Sequence, residues 1–367
     1  MVTRGLLVPP EGATGALVGL SGGVDSAVAA LLLQQSGLRV EGVTFALWSD
    51  PACDRPNLCC SAESILAARA TAEQLGIEHH LVDLADPFLR EVVEPFVEEY
   101  ARARTPNPCV RCNARLRFPA LRALAEQRRL SHIATGHYAR MGGRPPRLRR
   151  GLATGKDQSY VLAQVRSDLL AGSLFPLGNL SKEQVRRLAQ RAGLSVQSRP
   201  ESQEACFIPD NDYRRFLRTR VEARPGAIVD LAGKEIGRHG SFFDFTVGQR
   251  KGLGISAPAA LYVVALEEKS AAVVVGPHQA LQVAGLLVSH VVRQRLAEDG
   301  DTVLIQYRSS GGTRPATVTS WGQGLRVCFA EPAVGVAPGQ VAVAYRGDDV
   351  LWSGIIDKTW PPPAERS

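Results

Sequence analysis

The sequence predicts an α/β fold: an N-terminal doubly wound parallel-sheet domain, followed from about residue 213 by β-rich antiparallel structure. Three observations carry this. The chain opens with a strand–loop–helix–strand unit: the apolar run Ala16–Leu20, a glycine loop, a helical pattern over 26–35 and a second strand over 38–46. The alternation then repeats, with helical patterns at 62–75, 87–101 and 117–128 and strand-like runs at 78–84 and 131–135. Beyond residue 213 the runs shorten to GAIVDL, FFDFTVG, LYVVALE, AAVVVG, LLVSHVV, TVLIQYR, ATVTSW, LRVCFA, QVAVAYR and VLWSGIID, divided by turn residues, which reads as antiparallel sheets or a small barrel. A further helix over 181–193 should be capped by Ser181 and stopped at Gly193. Ligands of such a sheet bind beyond the carboxyl ends of its strands.

The 367 residues suffice for two or three domains. No run approaches the ~18 apolar residues that cross a bilayer, and the N-terminus has no apolar leader segment, so no membrane association and a cytoplasmic location are expected. The net charge of +7, from 43 Lys+Arg against 36 Asp+Glu, favours a polyanionic partner such as nucleic acid. There are seven cysteines: Cys53, Cys59, Cys60, Cys109, Cys112, Cys206 and Cys328. An odd number in a cytosolic chain points to catalytic or metal-binding thiols rather than a disulfide framework.

Ser21-Gly22-Gly23-Val24-Asp25-Ser26 lies between the first strand and the first helix. Its glycines let the backbone curl with N–H groups facing an anion, and the helix N-terminus adds partial positive charge, so the segment is a pyrophosphate cradle. Asp25 is placed to hold Mg²⁺ or to position the loop, and Ser21 and Ser26 to donate hydroxyl hydrogen bonds. Neither G-x-x-x-x-G-K-[ST] nor G-x-G-x-x-G is present. S-G-G-x-D-S resembles the signature of the PP-loop ATP pyrophosphatases, which cleave ATP between the α and β phosphates and adenylate an acceptor.

Thr105-Pro106-Asn107-Pro108-Cys109-Val110-Arg111-Cys112-Asn113 is the second signal. Prolines stiffen the approach, a helix follows, and Arg111 and Arg115 stand beside the thiols, which should lower their pKa. A lone C-x-x-C fits a redox pair, half a zinc site, cluster ligands or inert buried thiols. The third signal is Glu201-Ser202-Gln203-Glu204-Ala205-Cys206-Phe207-Ile208. A second, distant thiol brought near the first would support persulfide transfer and thiol exchange.

These three blocks resemble the bacterial tRNA-specific 2-thiouridylases. So do Ala134-Thr135-Gly136-His137-Tyr138-Ala139-Arg140, Lys156-Asp157-Gln158-Ser159-Tyr160, Gly237-Arg238-His239-Gly240 and Phe245-Thr246-Val247-Gly248-Gln249-Arg250-Lys251-Gly252-Leu253-Gly254. The resemblance spans about 16 to 358. It implies a PP-loop domain over 1–212, a small β-rich central domain over 213–283 and a C-terminal antiparallel β-barrel over 284–360; the sequence at 361–367 itself reads as a disordered tail. It implies ATP-dependent 2-thiolation of the wobble uridine (position 34) of tRNAs for Lys, Glu and Gln, by adenylation of the C2 oxygen and sulfur transfer from a persulfide. Cys206 would carry the terminal sulfur, with Cys112 as second catalytic thiol. Gly19, Leu20, Ser21, Gly22, Gly23, Val24, Asp25 and Ser26 would bind ATP with Mg²⁺, beside Phe45 and Gly136. Asn107, Pro108 and Cys109 would border the target base. His137, Asp157, Gln158, Ser159, Tyr307, Arg308 and Gln340 would contact tRNA. The upstream donor would be a cysteine desulfurase or a sulfur-relay protein. Some relatives have Asp at the position of Cys109. With cysteine there, Cys109, Cys112 and Cys206 form a possible ligand set for a 4Fe–4S cluster, an alternative route to the same product. Pro200 stands where many relatives have Lys.

Cys53, Cys59 and Cys60, in a Pro/Asp/Asn loop without evident ligand partners, are read as non-functional, Cys328 as packing, and His79 and His80 as structural. The arginines at 140, 144, 147, 149 and 150, and those at 214, 215, 218, 220 and 224, fit either solvated surfaces or phosphate tracking. Two other functions compete: a small-molecule adenylating ligase, which needs no thiols, and an RNA-binding module with a relic nucleotide site, which needs no intact phosphate loop.

Overall fold

The computed structural model describes residues 12–50, 61–196, 205–208, 210–295 and 299–363. Cys53, Cys59, Cys60, Pro200 and Glu201–Glu204 lie outside the described residues. The chain divides into two compact units, one of Met1–Val92, Cys109–Asn211 and Asp348–Val350, the other of Val93–Pro108, Asp212–Gly347 and Leu351–Ser367.

The first unit is built on β1 (Gly15–Gly19), β2 (Arg39–Ala46), β3 (Glu78–Asp83), β4 (His132–Ala134), the hairpin β5 (Ala139–Gly142) and β6 (Arg147–Arg150), and β7 (Ser173–Leu174). Its sheet runs β3-β2-β1-β4-β7 with every recorded pairing parallel. The order reverses between β1 and β4, so the crevice beyond their carboxyl ends is the topological switch point where such sheets bind ligands. Helix α1 (Val24–Gln35) is buried at nine of its positions. Its Val24, Ala27, Val28 and Leu31 pack against Val185 and Ala189 of the helix Lys182–Arg191, while Ala30 and Leu33 pack with Val18 and Val40 of the sheet. Helix α2 (Ala62–Leu75) starts at Ser61, whose hydroxyl accepts from the Ser64 N–H, and ends at Gly76 with φ +64°. Such a cap contributes ~1 kcal/mol, and the left-handed residue suits glycine.

The second unit carries two β layers. One sheet has the order β10-β11-β8-β9, from β8 (Gly226–Val229), β9 (Glu235–His239), β10 (Tyr262–Glu267) and β11 (Ala272–Gly276). The other strands are β12 (Gln282–Arg293), β13 (Thr302–Gln306), β14 (Arg314–Trp321), β15 (Gly324–Val334), β16 (Val341–Arg346) and β17 (Asp349–Trp360). They run β12-β15-β14-β13-β16-β17 and close through an antiparallel β12–β17 pairing into a six-stranded barrel, which leaves no open edge. The buried core cluster around it includes Leu286, Ile305, Val327, Ala344, Leu351, Trp352 and Ile356.

The predicted α/β class, with a parallel sheet first and an antiparallel barrel at the end, is what the structure has; within the β10-β11-β8-β9 layer, however, β11 and β8 pair in parallel. One run differs. FFDFTVG forms no strand; Phe242–Asp244 is a 3₁₀ turn. Phe242 and Phe243 are both buried, at 0% and 1% exposure, which an alternating strand with one wet face does not allow. Among the described residues no helix is long and apolar enough to cross a membrane.

Candidate functional site

The chain leaves β1 at Gly19 and turns through Leu20–Gly23 into α1. Gly22 sits at φ +72°, a conformation that strains any residue with a Cβ. The turn is closed from within: the Ser26 hydroxyl donates to the Gly23 carbonyl (3.0 Å) and accepts from the Ser21 N–H (3.1 Å). Gly23 caps α1 without a side chain, so the helix N-terminus keeps orphan N–H groups for an anion. Thr44 holds the turn from β2, donating to the Leu20 carbonyl (2.9 Å) with His79 behind it (2.9 Å). Burial first, then the charges of His80 and Arg69, lowers the His79 pKa, which suits this structural place.

Gly136, just after β4, lies directly on this loop. A Cβ there would stand 2.7 Å from the Ser26 nitrogen and 2.8 Å from the Asp25 carbonyl carbon, so only glycine permits the approach. The structure thus brings Gly19 to Ser26 and Gly136 together at the switch point. Phe45 is buried near the carboxyl end of β2.

Asp25 shows what sequence reading missed. Its carboxylate accepts from Lys182 Nζ at both oxygens (2.9 and 2.8 Å) and from the Tyr138 hydroxyl (2.7 Å). Lys182 is 6% exposed, and Tyr138 is buried and locked to Gln158 by two hydrogen bonds. With Lys182 and Tyr138 on its carboxylate, Asp25 is arranged as the expected loop-positioning group. One local signal could have revealed Lys182. It is the first residue of its helix, behind the Ser181–Gln184 capping box, where a cation opposes the helix dipole and so demands an anion from elsewhere.

His137 follows Gly136. Its Nδ1 is 2.7 Å from the Thr135 hydroxyl, and its ring lies near Phe118 and Phe175. Burial, then the charge of Arg117, pushes the imidazole down to about 3. The folded chain therefore leaves this ring neutral while the unfolded chain protonates it below about pH 6.5, so stability falls as pH falls between those values. Urea unfolding should show wild type losing about 1–2 kcal/mol more than His137→Asn between about pH 7 and pH 5.

Cys109 and Cys112 lie on the short helix Pro108–Cys112, which continues through a wider π-type turn, Asn113–Arg117, into Phe118–Gln127. Cys109 is exposed and Cys112 buried. Asn113, buried beside them, donates to the Val161 carbonyl (3.1 Å) and pins the helix. Arg111 hydrogen-bonds the Glu91 carbonyl. Cys206 is half-buried, and its neighbour Phe207 is buried edge-on against Phe88 (5.8 Å).

Of the residues expected to meet tRNA, Asp157 is engaged internally. It accepts from the Gly151 N–H, the Ser159 N–H and the Ser159 hydroxyl at 2.9–3.0 Å and from Arg150 at 3.3 Å. Asn107, Pro108, Tyr307, Arg308 and Gln340 fall in the second unit. Tyr307 is buried and donates to the Val334 carbonyl (3.3 Å), whereas Arg308 is exposed. Several arginines in the two basic stretches have internal partners: Arg140 with Asp348, Arg149 with Asp349, Arg218 with Asp244, and Arg220 stacked 4.0 Å over Phe216. Among the described residues, the group of three spaced to hold a metal is Glu41, Glu78 and His80. Arg128 already sits there, 2.8 Å from Glu41 and 2.5 Å from Glu78. Burial pushes the Glu41 carboxyl up, but hydrogen bonds from His80, Arg128 and Arg39 outweigh it and hold it below its usual range.

A parallel sheet with a phosphate loop at its switch point, joined to a β layer and a closed barrel, defines a nucleotide-using HUP-type enzyme with appended β domains. Residues 15–210 match the tRNA methyl transferase HUP domain, 214–277 the tRNA methyl transferase PRC-barrel domain and 287–356 the aminomethyltransferase beta-barrel domain. The tRNA-specific 2-thiouridylase MnmA of Geobacter metallireducens is 44% identical over 353 residues, covering 93% of this chain and 96% of its own. That of Mycolicibacterium smegmatis is 42% identical over 354 residues, covering 93% and 99%. The bifunctional protein NifU/MnmA of Rubrobacter xylanophilus is 47% identical over 347 residues, covering 94% of this chain and 70% of its own. The chain belongs to the tRNA-specific 2-thiouridylase family.

Proposed function

We propose that this enzyme replaces the C2 oxygen of the wobble uridine of tRNAs for Lys, Glu and Gln with sulfur, using ATP and a cysteine persulfide. The observation that carries the reading is the phosphate loop at the switch point of a chain that also holds Cys109, Cys112 and Cys206. An adenylating ligase has no use for such thiols, and a relic RNA-binding module no use for a loop closed by Ser26 and braced by Lys182.

The uridine C2 oxygen attacks the α phosphate, a bond to phosphorus forms, and pyrophosphate leaves into the cradle of N–H groups from Ser21 to Ser26. Mg²⁺, as the counter-ion of ATP, would neutralise phosphate charge. Cys206, half-exposed and so reachable by a cysteine desulfurase or relay protein, carries the terminal sulfur as a persulfide. That sulfur attacks C2 and AMP leaves with the former C2 oxygen. The Cys112 thiolate takes the Cys206 sulfur, so the product is 2-thiouridine plus a Cys112–Cys206 disulfide, which an external dithiol must reduce. The burial of Cys112 shields this step from water. Cys109, Cys112 and Cys206 are also the right donor type for three irons of a 4Fe–4S cluster, and Cys109 separates the two routes, as discussed below.

Pyrophosphate release tests the reading. It should require both ATP and tRNA lacking the modification, and fall to background with tRNA already thiolated. Release driven by an amine or carboxylate metabolite without tRNA would favour the ligase instead.

A further inference from the structure

The Thr-Pro-Asn-Pro segment that leads to Cys109 is held by the barrel-bearing unit through Arg104 and Thr105. The Thr105 N–H donates to the Pro338 carbonyl (2.8 Å), and the Gln340 side-chain amide donates to the Thr105 carbonyl (2.8 Å). Gly339, between those partners, lies against Thr105 at φ +91°; a Cβ there would stand 2.8 Å from the Thr105 nitrogen. The same loop is tied to β17, since the Gly339 N–H donates to the Ile356 carbonyl and the Ile356 N–H to the Gln340 carbonyl, both at 2.8 Å. That Ile356 carbonyl also accepts from Arg104 (3.2 Å), whose guanidinium pairs with Asp357 (3.3 Å) and Glu99 (2.7 Å). Arg104 and Thr105 are therefore fixed in one hydrogen-bonded knot, Thr105 standing three residues before the helix Pro108–Cys112 begins.

We propose that Gln340 is a positioning residue: by donating to Thr105 it fixes the Thr105–Pro108 lead-in, and through it the start of the cysteine helix. One N–H of the Gln340 amide is engaged with the Thr105 carbonyl, so the side chain is held against the lead-in. Pro106 and Pro108 make the lead-in stiff, so an anchor at Thr105 is transmitted along it instead of being absorbed by backbone rotation. Catalysis is sensitive to displacements of about 1 Å at the reacting groups, which gives such an anchor kinetic weight. The proposal rests on the thiolation reading for its activity measurement but not for its structural one.

The test is Gln340→Met, which keeps the side-chain length and removes the donor. Amide hydrogen exchange over residues 104–112 of the full chain without tRNA should speed up by about tenfold or more, with exchange in the barrel strands unchanged. Single-turnover thiolation should slow by about tenfold while the tRNA dissociation constant stays within about threefold of wild type. Unchanged exchange over 104–112 would overturn the proposal. So would a dissociation constant raised tenfold with the single-turnover rate retained, because Gln340 would then be a tRNA contact. If wild type itself makes no 2-thiouridine, the thiolation reading fails, and the exchange comparison decides the anchor alone.

Discussion

Cys206→Ser should form no measurable 2-thiouridine, a loss of at least about 10³-fold, and Cys112→Ser should do the same. A serine hydroxyl neither carries a sulfane sulfur nor opens a persulfide. ATP and tRNA binding should persist in both variants, because the thiols act after the substrates are bound. Cys328→Ser is the control. Its thiol lies on β15 of the barrel and has no role in this account, so thiolation should be unchanged. Cys109 discriminates the two sulfur routes. If it only borders the base, Cys109→Asp keeps substantial activity. If it ligates a cluster, Cys109→Ala loses both iron and activity after anaerobic reconstitution. Activity surviving in Cys206→Ser would contradict the persulfide assignment.

Asp25→Ala should abolish tRNA-dependent pyrophosphate release and also destabilise the fold. It leaves the Lys182 ammonium, 6% exposed, without its carboxylate. Removing one partner of a buried pair costs about 3–5 kcal/mol, and Asp25 is open enough that the lower end applies. Lys182→Met in the Asp25→Ala background should recover most of that stability, since an apolar side chain replaces a stranded charge. It should not recover pyrophosphate release, because the loop then has neither its carboxylate nor its ammonium. Denaturant unfolding of the two single variants and the double variant measures the coupling, while release measures the chemistry. Full release from Asp25→Ala would remove the pair from the account.

The parallel-sheet half was legible because its signals are local and periodic. The helix expected over 62–75 is Ala62–Leu75 in the structure, and the Ser181 cap is made as its residue type suggests. FFDFTVG misled because a run of phenylalanines buried in a turn has the composition of a strand without its alternation. The short β9 went unread because Glu235–His239 has only one aliphatic residue, Ile236. At the site, the loop, the cysteines and the Gly136 block were legible as short motifs. The Asp25–Lys182 pair spans 157 positions and the Gln340–Thr105 bond 235, distances at which one sequence carries no pairing signal. Only the lysine's misfit with its helix dipole marks it as a residue with a remote partner.

The most direct measurement is nucleoside analysis of two tRNAs that differ only at the wobble base, each incubated with the enzyme, ATP and a persulfide donor. The account predicts 2-thiouridine at the wobble position of the uridine-bearing tRNA, none in the other, and one AMP and one pyrophosphate for each thiouridine formed. ATP cleaved with no 2-thiouridine formed, or sulfur found at another position, would contradict it.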